Sequence, residues 1–251
     1  MNKFDINRME ADPVLQQASM KFGTNTMSTA KAFSVLMRNV YTWMTLALVI
    51  TAFTSLYMTK NLALMQTLLG SSFGVWGLLI AQIAVVLVLS ARIEKMSFTT
   101  AGVLFALYSI LTGVTMSSIF MVFTASSIAS TFFITAGTFG AMSAIGFFTK
   151  KDLSGMGKYL MMALIGLIIA SVVNMFMHST MMMWIISYVG VLVFVGLTAY
   201  DTQKIKHMLL VHGTDVNDGT MKLALLGSLT LYLDFINLFL YLLQFMGSRD
   251  E

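Results

Sequence analysis

Residues 223–246 read LALLGSLTLYLDFINLFLYLLQFM, an apolar run broken near its middle by Asp234, the only acidic residue between Met221 and Met246. A helix crosses the hydrocarbon core of a bilayer in about 20 residues, at about 1.5 Å each, so this run is long enough to span. An ionised aspartate at the bilayer centre costs about 2.5 to 3.5 kcal/mol on insertion scales. The carboxyl must therefore face protein or water, find a partner, or take up a proton. It follows Lys222 by about 12 residues, which places it about 18 Å from the basic end of the run, near mid-membrane.

Thr230, Asp234, Asn237, Tyr241 and Gln244 are spaced alternately four and three apart, so they lie along one helical face. Leu231, Phe235, Leu238, Leu240 and Leu242 cover the other directions. Such a helix suits the interior of a bundle better than a position surrounded by lipid. Asp234 then has two readings. It is a protonated or cation-paired group that holds helices together, or it is an ion or proton site, and the polar stripe around it favours the second.

The rest of the chain is equally apolar: 57% of its 251 residues are hydrophobic, only 10% are charged, and the mean hydropathy is +0.82. A soluble domain carries roughly 25% charged residues, so this chain has too few to cover a water-facing surface. Six more segments approach span length, at about 40–58, 73–91, 101–123, 128–148, 159–177 and 184–200. Breaks such as Gly70-Ser71-Ser72, Arg92 to Lys95, and Lys150-Lys151-Asp152 with Gly155 and Gly157 separate them. Barrel strands would alternate apolar and polar side chains, whereas these runs are apolar on both strand faces. Helices satisfy their own backbone groups in lipid. The expected fold is an all-α polytopic membrane protein of seven transmembrane helices. Residues 1–30 are expected to form a mobile N-terminal tail and 31–248 the membrane domain.

Basic residues set the expected orientation. Lys3, Arg8, Lys21, Lys31 and Arg38 precede or begin the first span; Arg92 and Lys95 follow the second; Lys150, Lys151 and Lys158 follow the fourth; Lys204, Lys206 and Lys222 follow the sixth. Only Lys60 and Arg249 fall on the other side. This bias predicts a cytoplasmic N-terminus, with an external C-terminus if the last segment crosses fully. The first 30 residues lack a continuous apolar stretch ending in a small-residue cleavage site, so the first span is expected to act as the insertion signal. Snorkelling to phosphate headgroups is the ordinary role of Arg38 and Arg92, and pairing with Asp201 or Glu94 the sharper alternative.

Other chemistries find little support. The net charge of +4 is spread over several segments, without the dense cationic patch that nucleic-acid binding needs. With no cysteine, disulfides, thiolate metal sites and cysteine nucleophiles are excluded. The 23 methionines read as flexible packing. His207, His212, Asp215 and Asp218 match neither an EF-hand nor a zinc spacing and read as a solvated connection. His178, near the external end of the fifth span, reads as an interfacial residue. Gly102, Gly113, Gly137, Gly140, Gly166, Gly190 and Gly196 are expected to permit close helix contact.

Asp201 ends the run at Tyr200, and its helix is expected to continue through Lys204 and His207 because no glycine or proline intervenes before Gly213. If this end enters the bundle, Asp201 can meet Asp234. Two carboxylates in contact repel when both ionise and so share a proton. Such a pair would be an acid-sensitive latch, closed when protonated and open when ionised or cation-occupied. Spacing alone does not encode that contact.

Two segments in order, Leu231-Tyr232-Leu233-Asp234-Phe235-Ile236-Asn237-Leu238-Phe239 and, before it, Tyr200-Asp201-Thr202-Gln203-Lys204-Ile205, resemble the motifs of the Bax inhibitor-1 family, also called the transmembrane BAX inhibitor motif family, in a bacterial form. The seven-span layout extends the likeness from about Phe33 to Gly247. It implies a bundle whose last helix is surrounded by the other six, with the family's paired aspartates at Asp201 and Asp234 and its basic residue near the end of the second span at Arg92. The family is associated with pH-sensitive calcium leak, and its eukaryotic members with protection from cell death. Some relatives carry an acid within the second span where this chain has Gln82, so a second transmembrane acidic site is not implied.

The functional expectation is a calcium leak pathway in a bacterial inner membrane, with Asp201 and Asp234 as a transient calcium or proton site and Thr230, Asn237, Tyr241 and Arg92 as supporting polar residues. No cofactor is expected; calcium and protons are the transported species, the bilayer the surroundings, and nucleic acid no partner. The alternatives are a proton-coupled cation exchanger and a non-transporting regulator of another membrane protein, such as the protease modulated by certain bacterial relatives. Catalytic motifs of intramembrane aspartyl proteases are absent, so no enzyme is expected.

Overall fold

A computed structural model describes residues 13–212 and 215–248. Among the described residues the chain forms eight α-helices: α1 (Pro13–Lys60), α2 (Leu62–Leu69), α3 (Ser72–Arg92), α4 (Phe98–Met116), α5 (Ala125–Phe148), α6 (Ser154–Met177), α7 (Thr180–His212) and α8 (Asp218–Met246). Seven are long and apolar enough to cross a membrane, and six of them contain an expected span whole; the third, expected over 101–123, leaves α4 at Met116 for a 3-10 turn over Ser117–Met121, and α2 has only 8 residues. The first twelve residues of the expected tail lie outside the described residues. From Pro13 onward its backbone is already α1, and proline suits the first helical turn because its missing N–H would be unpaired there anyway.

Polar side chains at the breaks start the helices. Ser71, Ser97 and Thr124 accept hydrogen bonds from the backbone N–H groups of Gly74, Thr100 and Ser127 at the heads of α3, α4 and α5. Asn217 and Thr220 form a reciprocal capping box at the head of α8. α6 stops at His178, which takes the left-handed conformation at φ 51°. α7 does run unbroken past Asp201 to His212, as the absence of glycine and proline predicts.

The architecture is a bundle around α8. Of its span 67% is buried, compared with 44% for α4 and only 6% for α3 and for α6, so the last helix is central and those two face lipid. α8 packs on α7, α1, α5 and α4. Leu225, Leu229, Leu231, Tyr232, Leu238 and Leu243 are among its fully buried side chains.

Because lipid tails are as apolar as leucine, association here depends on close packing and on hydrogen bonds between helices. A Cβ on Gly113 would come within 2.6 Å of the Thr51 carbonyl, one on Gly190 within 2.6 Å of the Tyr241 ring, one on Gly196 within 2.8 Å of Leu160, and one on Gly102 within 3.3 Å of Trp43. These four serve close contact. The expectation fails at Gly137, Gly140 and Gly166, where a Cβ would meet nothing within 4 Å, because those positions face gaps or lipid. Two glycines outside the expected set, Gly146 against the Ala199 backbone and Gly157 against the Tyr200 ring, do pack closely.

Candidate functional site

The α7–α8 hairpin is antiparallel, and its contacts repeat every seven residues along α8. Gly227 lies against Ile205, Asp234 meets Asp201, and Tyr241 lies against Gly190 and stacks on Phe194 with ring centroids 5.7 Å apart. Seven residues advance a helix about 10.5 Å in two near-whole turns, so all three contacts fall on one seam. The glycines bring the backbones together at either side of the acidic layer. That closeness lets two short aspartate side chains touch.

The carboxyl groups of Asp201 and Asp234 are within hydrogen-bonding reach of each other. Asp234 is 4% exposed and Asp201 9%, so the outer member of the pair is Asp201. Gln203, two residues further along α7, accepts from the Leu153 N–H and donates to the Lys151 carbonyl, both at 2.8 Å, which ties this level of α7 to the polar α5–α6 connection. Asp234 sits 16 residues into α8, about 24 Å from its start. Asp201 thus stands between the polar connection and the deeper Asp234.

No N–H or O–H donor among the described residues reaches Oδ2 of Asp234, which is fully buried. The only ion pair among the described residues is Lys222 with Asp218, at 3.2 Å. Lys204, one turn from Asp201, contributes charge at a distance and is exposed. Its neighbour Lys206 donates to the Phe147 carbonyl at 2.6 Å and lies over the Phe147 ring. A buried carboxylate without a donor or cation is costly, and two in contact are more so. The arrangement is satisfied when one carboxyl carries a proton and donates it to the other.

The expected supporting residues are not gathered around this pair. Thr230 donates to the Leu226 carbonyl at 3.1 Å and Asn237 to the Leu233 carbonyl at 2.8 Å, both back along their own helix. Tyr241 belongs to the layer above, on Phe194. Arg92 is exposed at the end of α3, and neither it nor Arg38 forms an ion pair among the described residues, so the pairing with Asp201 or Glu94 is not made. Among the described residues no group of three or more His, Asp or Glu could hold a metal ion. Calcium takes six to eight oxygens, so two carboxylates offer a partial set, fit for an ion in passage.

Buried polar residues that spacing did not single out hold the helices around the pair. Thr202 lies 3.1 Å from Ser143, which lies 2.6 Å from the Tyr41 hydroxyl, linking α7, α5 and α1 beside Asp201. On the opposite face of α8, the Tyr232 hydroxyl lies 2.7 Å from Thr51, whose hydroxyl donates to the Ser109 carbonyl at 3.0 Å. Phe105 and Tyr108 pack edge-on against the Tyr232 ring. Gln82, in place of an acid, donates to Thr115 and to the Leu111 carbonyl and fastens α3 to α4. Apart from Gln82, their signal in sequence was only a hydroxyl within an apolar run, which many spans contain.

Comparison with known proteins identifies relatives of the chain. The family described as "Inhibitor of apoptosis-promoting Bax1" matches residues 34–251. "Inner membrane protein YbhL" of Escherichia coli is 54% identical over 213 residues, 85% of this chain and 91% of that protein. An uncharacterised protein of Borreliella burgdorferi is 46% identical over 84% of this chain and 90% of its own length, and one of Deinococcus radiodurans 37% identical over 94% and 98%. The match over residues 34–251 and these relatives show that this chain, with its seven candidate spans, belongs to the Bax inhibitor-1 family.

Proposed function

We propose that this protein is a pH-sensitive leak pathway for calcium in the bacterial inner membrane, gated by the proton shared between Asp201 and Asp234. The observation that carries this reading is the burial of two touching carboxyl groups, with no cation paired to them and no donor on Oδ2 of Asp234, among the described residues. With one proton present, the acid of one residue donates to the carboxylate of the other, and α7 and α8 stay closed at the seam. When that proton leaves towards the polar α5–α6 connection, two negative charges face each other at low dielectric and push the helices apart. Calcium prefers hard oxygen ligands and meets two of them there. Weak binding by an incomplete ligand set favours release, as conduction requires. The inner-membrane location follows the named Escherichia coli relative, and the basic residues favour a cytoplasmic N-terminus. We assign no catalytic step.

The test is purified protein in liposomes with a trapped calcium indicator, with influx followed as external pH changes. Influx that is low in acid and rises towards neutral supports the gate. Absence of calcium movement at every pH from folded protein refutes it and leaves a non-transporting regulator. Stoichiometric counter-movement of protons would make the protein an exchanger.

A further inference from the structure

The space between α1 and α5 is not filled by side chains. The two helices meet at one end, where Tyr41 touches Ser143 and Phe33 stacks on Phe147 at 6.3 Å, and they separate beyond it. Two adjoining cavities of about 570 and 420 Å³ occupy the gap and share Leu48, Phe132 and Phe235 in their walls. Together they run along α1 from Met37 to Leu56, about 28 Å of helix, close to the roughly 30 Å of a hydrocarbon core. Their backs are closed by Phe235 and Phe239 of α8. Their outer walls include Phe133 and Phe148, 73% and 77% exposed, so the crevice opens sideways to lipid.

Charge is confined to one end. Arg38 lines the larger cavity there, exposed and without an ion-pair partner among the described residues, with Tyr41 and Thr45 beside it. A guanidinium binds phosphate oxygens in a bidentate fork, whereas the remaining walls are apolar except for the hydroxyls of Thr51, Ser55 and Ser143, of which Thr51 and Ser143 are hydrogen-bonded within the protein. From Arg38 to the shared Leu48 is ten residues, about 15 Å, half of the hydrocarbon core and the reach of a chain belonging to one leaflet. Gly140 lines the same wall, and its missing side chain leaves room that no other residue occupies, since a Cβ would meet nothing within 4 Å.

We propose that the α1–α5 crevice is a binding site for an anionic phospholipid, with one acyl chain lying towards Leu48, Phe132 and Phe235 and the phosphate held by Arg38. The site contains neither aspartate and goes beyond ion passage. Purified, delipidated protein is mixed with phosphatidylglycerol or phosphatidylcholine in micelles, and retained lipid is counted by native mass spectrometry. The wild type is expected to retain one phosphatidylglycerol in preference to phosphatidylcholine. Arg38→Gln lowers phosphatidylglycerol retention about fivefold, corresponding to about 1 kcal/mol for one basic residue at an anionic headgroup, and abolishes the preference. Gly140→Phe fills the wall and removes retention of both lipids while the protein melts as before. Equal retention of the two lipids by the wild type, undiminished phosphatidylglycerol on Arg38→Gln, or full retention by Gly140→Phe would overturn the assignment. Should Arg38→Gln fail to fold, the lipid preference of the wild type and the Gly140→Phe result decide it.

Discussion

Asp234→Asn leaves at most one negative charge at the α7–α8 seam at any pH, and its amide donates to Asp201 as a protonated Asp234 would. The variant therefore imitates the proton-sharing pair and cannot reach the doubly ionised one. Two carboxylates about 4 Å apart repel by about 4 kcal/mol at an effective dielectric of about 20. At 1.4 kcal/mol per decade, that shifts a closed–open equilibrium by up to about three orders of magnitude. In proteoliposomes, wild-type calcium influx should climb over as much as that range as the pair loses its proton, whereas Asp234→Asn should stay low and flat across the same pH values. Asp201→Asn should behave alike, and the double variant should not give the sum of the two single effects, as for any two groups acting through one contact. A wild-type pH profile in Asp234→Asn, or strict additivity in the double variant, would show that the shared proton does not gate the seam.

Three further outcomes test the packing and the polar groups. Gly190→Ala should lower the thermal midpoint by the equivalent of about 1 to 3 kcal/mol, since the new methyl lands 2.6 Å from the Tyr241 ring; Gly166→Ala, with open space at its Cβ, should not, and equal shifts would deny the close seam. Ser55 is buried with its hydroxyl unpaired among the described residues, so Ser55→Ala should leave the midpoint unchanged or raise it, by up to about 1 kcal/mol, and a clear loss would show that the hydroxyl has a partner. The Ser154 hydroxyl and N–H hold exposed Asp152 below the usual carboxylate range, the N–H at 2.9 Å from Oδ1. A folded value depressed below the unfolded one stabilises above the ordinary carboxylate range, and that contribution is lost as pH falls through the folded value. Asp152→Ala should therefore melt below the wild type at neutral pH and together with it in strong acid; a gap that persists in acid would point to another cause.

Hydropathy is a local property, and the seven spans, their all-helical nature and the run of α7 past Tyr200 to His212 could be read from short windows of residues. So could the interest of Asp234, since the cost of a charge in hydrocarbon needs no knowledge of its neighbours. Its partner could be named only on the condition that α7 enters the bundle at Asp201. Thr230, Asn237 and Tyr241 share a helical face with Asp234, yet two of them turn back to their own backbone and the third stacks one layer away, because a shared face does not fix a rotamer or a partner. Likewise Gly140 and Gly190 look alike in sequence, though one borders a crevice and the other receives a tyrosine ring. Which residues belong to the membrane was thus decided by the sequence alone. Which of them meet was decided by helix crossings that bring together positions such as Thr51 and Tyr232, or Tyr41 and Ser143, too far apart along the chain for any local periodicity to relate them.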